Sequence, residues 1–203
     1  MTSPRSTYRS LAALQRDNRR CRACAEAGFP IESPPVVEGR PGQRAYLLGQ
    51  APGVVEGAER RPWRGRAGRT LRRWLALDEE AFYATFYCAA VTRCYPGRAS
   101  TGRGDRTPSH RERELCAQWR EWELRLLEPA LIVTVGGLAV RSLLGVESLT
   151  RAVGTRLVLG DVPVVPLPHP SDASGWLNEP ANRERLEHAV SLARRELSVL
   201  GRR

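Results

Sequence analysis

The chain has 203 residues and a hydrophobic fraction of 41%, which suits one domain, residues 1–203, with a sizeable core. Its formal net charge is +10, and all 32 cationic side chains are arginine. No apolar run approaches the roughly 20 residues that cross a bilayer, and the polar start MTSPRSTYRS lacks the apolar core of a signal peptide. A cytoplasmic protein with no membrane partner is therefore expected, and a monomer. Arginine forks match phosphate oxygens bidentately, so nucleic acid is the expected partner. A GC-rich genome would explain arginine in place of lysine, but not the excess positive charge.

Residues 10–28 read as a short amphipathic helix, with Leu11 and Leu14, ending at a Cys21-x-x-Cys24 knuckle packed on the core. Residues 30–42 form a Pro/Gly-rich loop. The run 46–48 reads as a buried strand that empties into GQAPG: Gly49, Gln50, Ala51, Pro52 and Gly53. A charged loop follows with Glu56, Glu59 and Pro62-Trp63, then a helix with Leu71, Trp74 and Leu75 on one face. Residues 84–94 read as a second strand, closed by Cys94. Residues 95–110 form a long flexible loop, and a helix over 110–127 begins at a Thr107 or Ser109 cap and carries Cys116. The apolar run 130–135 is a central parallel strand, with a helix after it to about 144. Runs 156–159 and 162–167 flank Gly160-Asp161 like a hairpin, and the second ends in Pro168-His169-Pro170-Ser171. A last helix spans about 180–200. The alternation predicts a parallel sheet between helical layers, with the GQAPG and His169 turns facing each other across a crevice.

Backbone N–H groups of the first turn, with a neutral imidazole at His169, would stabilise a developing anion from two sides. By itself His169 would be read as a loop histidine capping a carbonyl; the paired turn changes that. The cysteine count is odd: Cys21, Cys24, Cys88, Cys94 and Cys116. An odd count argues against a disulfide framework and fits a four-thiolate site with one spare. Zinc and an iron–sulfur cluster both accept four thiolates, and spacing does not separate them. Three ordinary thiols beside one redox pair is the plainer alternative.

Taken in order, Cys21-x-x-Cys24, GQAPG at 49–53, RPWRGRAGRTL at 61–71, AAVTRCYPG at 89–97, TPS before Cys116, ALIVTVGGLAVRSLLG and HPS at 169–171 resemble the uracil-DNA glycosylase superfamily, closest to its iron–sulfur families 4 and 5. The resemblance covers nearly the whole chain. It implies a three-layer α/β/α sandwich around a four-stranded, mainly parallel sheet. It implies a [4Fe–4S] cluster on Cys21, Cys24, Cys94 and Cys116, with Cys88 spare and zinc as the alternative. It implies hydrolysis of the N-glycosidic bond of uracil in DNA. His169 would then hydrogen-bond uracil O2, with Ser171 beside it in the same motif at the substrate. The turn around Gln50 and Ala51 would contact the base, and Trp63 would stack on it where the family has phenylalanine. Trp63 as a plain loop anchor is the competing reading.

The chain also departs from the family. Family 4 has Glu where Gln50 stands, and family 1 follows its Gln with an Asp where Ala51 stands. Ala90 takes the place of a base-reading Asn, as in family 5, which loosens discrimination of uracil. Glu56 is nominated to position the attacking water, against a merely solvated loop glutamate. Asp105 stands where one branch carries a histidine that traps the sugar covalently, so such trapping is not expected; a carboxylate there would orient water or stabilise the sugar cation. Arg98, Arg103 and Arg106 of the same loop would meet phosphates, unless the loop is simply solvated. Trp176 and Leu177 follow HPS in a loop that lies against DNA in the superfamily; they would wedge into the base stack or anchor the last helix. Two further classes stay open: an iron–sulfur DNA-binding protein that recognises lesions but cleaves poorly, and a zinc-stabilised nucleic-acid adaptor.

Overall fold

A computed structural model describes residues 7–101, 104–171 and 175–201; Arg103 lies outside them. The elements in chain order are α1 (Leu11–Arg19), α2 (Ala23–Glu26), β1 (Ala45–Gly49), α3 (Val54–Glu59), α4 (Arg66–Leu75), α5 (Glu79–Thr85), β2 (Phe86–Ala90), α6 (His110–Leu127), β3 (Leu131–Val135), α7 (Gly137–Leu144), α8 (Leu149–Ala152), β4 (Leu157–Leu159), β5 (Val162–Leu167), a 3-10 turn (Trp176–Asn178) and α9 (Pro180–Leu200). No helix among the described residues is long and apolar enough to cross a membrane.

The strands form one sheet in the order β2-β1-β3-β5-β4. The first four of these are parallel, with Gly49 opposite Ala90, Leu48 opposite Thr134 and Val135 opposite Leu167. Their carboxyl ends therefore share one edge. From β1 the chain crosses one way to β2 and then back past β1 to β3, which makes the end of β1 the switch point where open α/β sheets bind ligands. Side chains alternate across the sheet, as strand geometry requires. Leu47, Cys88, Val133 and Val165 face a core shared with Leu71 and Leu75 of α4 and Ala189 and Ala193 of α9. Tyr46, Leu48, Tyr87 and Ile132 face a second core with Leu14 of α1, Trp119 of α6 and Ala139 of α7. The molecule is thus an α/β/α sandwich.

The expected four strands are joined by a fifth. β4 is a three-residue edge strand, antiparallel to β5, at the site of the hairpin read around Gly160. Gly160 turns it with φ +58°, a conformation that suits a residue without Cβ. The strand expected over 84–94 is shorter, because α5 runs through Thr85 and the pairing with β1 ends at Ala90. Asp78 starts α5 by accepting from Ala81 N–H at 2.7 Å. The charged loop carrying Glu56 is in part the helix α3. Six residues give little periodicity to read, and α3 packs through a glycine: a Cβ on Gly57 would lie 3.0 Å from Ser33 and 3.1 Å from Tyr95.

One buried ion pair holds the segment after β2. Glu123 of α6 accepts from the hydroxyls of Tyr46 at 2.6 Å and Tyr87 at 3.0 Å and pairs with Arg93. Both charges are nearly inaccessible, so the pair persists because the remaining carboxylate lone pairs are satisfied by the two phenols. It fixes the backbone just before Cys94.

Candidate active site and cysteine cavity

A cavity of about 120 Å³ opens where β1 and β2 end. The whole GQAPG turn, Glu56, Trp63, Ala90, Asp105 and His169 line it. The turn is held by bonds that prolong the sheet: Val91 N–H donates to Gly49 C=O at 2.9 Å and Thr92 N–H to Gln50 C=O at 3.2 Å. Trp63 forms a wall packed against Gly49, where an added Cβ would lie 2.9 Å from the indole Cζ2. Its backbone has φ +60°, uncommon for a large side chain. Two contacts enforce this. Arg72 Nη1 donates to Trp63 C=O at 3.0 Å, and Gly68 of α4 approaches so closely that a Cβ would lie 1.8 Å from that oxygen. Gly→Ala in a helix ordinarily gains about 0.5–1 kcal/mol. Gly68→Ala is instead expected to cost about 1–3 kcal/mol by overpacking, read as a lower Tm; an unchanged or raised Tm contradicts the packing described.

His169 sits just past β5. Its Nδ1 accepts from Ser171 N–H at 3.3 Å and lies 2.8 Å from Ser171 Oγ. A ring nitrogen that accepts from a backbone amide carries no proton, so the imidazole presents N–H at Nε2. Burial lowers the His169 pKa from its ordinary 6.5, with the carboxylates of Asp105 and Glu56 pulling the other way. The ring is therefore neutral at pH 7. Ser171, expected at the substrate, holds the imidazole through its N–H and hydroxyl.

The two nominated carboxylates differ. Glu56 Oε2 accepts from Gly53 N–H at 3.2 Å and Oε1 from Gly65 N–H at 2.8 Å. Glu56 thus ties the GQAPG turn to the start of α4, with both oxygens engaged. Asp105 reaches the cavity on a small hairpin. Arg98 and Asp105 pair across it, Ala99 N–H donates to Gly104 C=O at 3.1 Å, and Arg106 N–H donates to Gly97 C=O at 2.8 Å. The 95–110 segment is therefore a folded arm at its base, not a free loop. Asp105 is exposed at the rim, with Oδ1 accepting from Tyr95 OH at 3.1 Å.

Cys21, Cys24, Cys94 and Cys116 line a second, separate cavity of about 530 Å³. α1 leads into Cys21, α2 carries Cys24, the segment after β2 carries Cys94 and α6 carries Cys116. Burial pushes the Cys24 thiol up to about 11 and Cys116 up to about 12, and raises Cys94 further; the charges of neighbouring cysteines add to each shift. Such thiols stay protonated at neutral pH unless a metal displaces the proton. Cys88 stands apart on β2 under the first cavity, where burial raises its pKa strongly. Among the described residues no three or more His, Cys, Asp or Glu form a group that could hold a metal ion. The walls nevertheless fit a sulfur-rich centre. Of the six buried polar atoms without a partner among the described residues, five belong to residues of this wall: Asn18 Nδ2 and Oδ1, Thr92 Oγ1, Arg93 Nε and Trp119 Nε1, the sixth being Thr134 Oγ1. Buried donors are almost always satisfied. Four of these five are donors, and sulfide and thiolate sulfurs are acceptors.

The profile of the Uracil DNA glycosylase superfamily matches residues 36–192. The chain belongs to that superfamily. A type-4 uracil-DNA glycosylase from Thermotoga maritima is 27% identical over 159 residues, covering 76% of this chain and 79% of that one. Another from Sulfurisphaera tokodaii is 26% identical over 207 residues, covering 96% and 87%.

Other residues expected at the DNA of a superfamily member have diverse surroundings. Arg98 is exposed on the hairpin. Arg106 is engaged internally, donating to Glu112 at 2.7 and 2.8 Å and to Pro96 C=O at 3.0 Å. Trp176 packs on the core and donates from Nε1 to Thr150 at 3.0 Å. Leu177 is half-buried in the same 3-10 turn, and its C=O accepts from Arg183 at 2.8 Å. Both thus anchor the start of α9. Tyr95, which donates to Asp105, and the placement of Cys88 at the first cavity are site features that pattern reading missed. Their only signal was position: Tyr95 follows Cys94 in a motif, and Cys88 lies two residues before Ala90 on one strand face.

Proposed function

We infer that this chain excises uracil from DNA by hydrolysing its N-glycosidic bond. One observation carries the reading: His169, its Nδ1 accepting from Ser171 N–H, lines the same cavity as the glycine-rich turn and the Trp63 wall. In the reaction the C1′–N1 bond breaks with both electrons leaving on uracil, and the charge spreads to O2. His169 Nε2–H donates to that oxygen, while backbone amides of 49–53 hold the base from the other turn. Water attacks C1′ and gives its proton to Asp105 as general base. Trp63 stacks on the extruded base. Ala90 and Cys88 offer the base edge a methyl and a thiol, so hypoxanthine and xanthine are candidate further substrates. Arg98 meets backbone phosphate. Cys21, Cys24, Cys94 and Cys116 would hold a [4Fe–4S] cluster, which would staple α1 and α6 to the segment leaving β2; a colourless protein containing zinc would replace that assignment.

The deciding assay treats uracil-containing single- and double-stranded oligonucleotides with the protein and then with alkali. Strand cleavage at uracil supports the enzyme. Tight binding without abasic product would make the chain a lesion-recognition protein instead.

A further inference from the structure

A rim carboxylate on a hairpin has a free χ2 unless something holds it, and Asp105 is held by one phenol. Tyr95 OH donates to Oδ1 at 3.1 Å. The other oxygen, Oδ2, lies 3.2 Å from where a Cβ on Gly53 would stand, beside the base-binding turn. Tyr95 is itself immobilised. It is 3% exposed, its N–H donates to Ser33 Oγ at 2.8 Å, and its C=O accepts from Glu32 N–H at 3.0 Å. Its Cβ fills the space left by Gly57 of α3. The hairpin brings Asp105 to the cavity, and the phenol decides which oxygen faces it.

We propose that Tyr95 is a positioning residue that tethers Asp105 Oδ1 so that Oδ2 is presented to the water attacking the sugar. The proposal rests on the role given to Asp105 above and extends it to a buried residue that makes no contact with substrate. A carboxylate with one oxygen tied has fewer orientations to search, and misplacing a general base by an ångström is costly.

The test is a double-mutant cycle read as single-turnover excision of uracil with enzyme in excess, beside DNA affinity by fluorescence anisotropy. Tyr95→Phe keeps the ring and its packing and is expected to slow excision roughly tenfold to a hundredfold with DNA affinity unchanged. The Tyr95→Phe/Asp105→Asn double variant is expected to be no slower than Asp105→Asn alone, because no base remains to be positioned. A wild-type rate for Tyr95→Phe overturns the proposal. So does a double variant whose loss is the product of the two single losses, which is the signature of a merely structural role, including a folding defect. A wild-type rate for Asp105→Asn is a separate failure, removing the role of Asp105 itself.

Discussion

His169→Ala is expected to slow uracil excision by about 10²–10³-fold, the usual loss on removing one donor from an anion-stabilising site, while DNA affinity stays near wild type. The substitution removes the Nε2–H donor and nothing else that touches the cavity, since Ser171 and the backbone remain. The structure also fixes the sign of the pH response. Burial lowers the His169 pKa below 6.5 in the folded protein, so the unfolded chain binds this proton more readily than the folded one. Its contribution to stability is complete above about 6.5 and is lost as pH falls towards the lowered folded value. Protonation would also place a proton on Nδ1, where Ser171 N–H now donates. Denaturant midpoints at neutral and mildly acidic pH should therefore differ less for His169→Ala than for the wild type. Unchanged excision by the variant would remove His169 from the mechanism.

The sandwich and the two facing turns were legible because both rest on local signals. Continuous apolar runs such as 131–135 announce buried parallel strands, and Gly/Pro punctuation marks where β1 and β5 end. The four cavity-lining cysteines could be grouped only through the superfamily resemblance, because C-x-x-C names a pair and not its distant partners. Other features depend on tertiary contacts that leave no periodic trace. α3 is too short to show a period, and what places it is the fit of Gly57 against Ser33 and Tyr95. The arm carrying Asp105 reads as a loop because its composition is polar and glycine-rich, yet two backbone hydrogen bonds, which make the Arg98–Asp105 bridge, close it. Charge alone also could not say which arginines are offered outward. Arg93 and Arg106 are each committed to a buried glutamate, so part of the basic composition stabilises the fold rather than the phosphate contact.

Asp105→Asn is expected to lower excision by about 10²–10⁴-fold, the range for losing a general base, with Tm and DNA affinity preserved. Asparagine keeps an oxygen able to accept from Tyr95 OH, so the side chain stays in place and only its charge and basicity go. Glu56→Gln provides the contrast that assigns the water. Both Glu56 oxygens accept backbone N–H groups, from Gly53 and from Gly65. An amide supplies one acceptor where two are needed and turns an N–H₂ towards an N–H donor. Its cost should appear mainly in folding, as a destabilisation of about 1–3 kcal/mol, with excision falling only as far as the loosened turn allows. The two carboxylates flank Gly53, and its missing side chain is what lets both approach. One of them braces the turn and the other faces solvent at the rim, where a water can be taken from bulk. A large rate loss in Glu56→Gln at unchanged Tm, beside a wild-type rate in Asp105→Asn, would reverse the two roles.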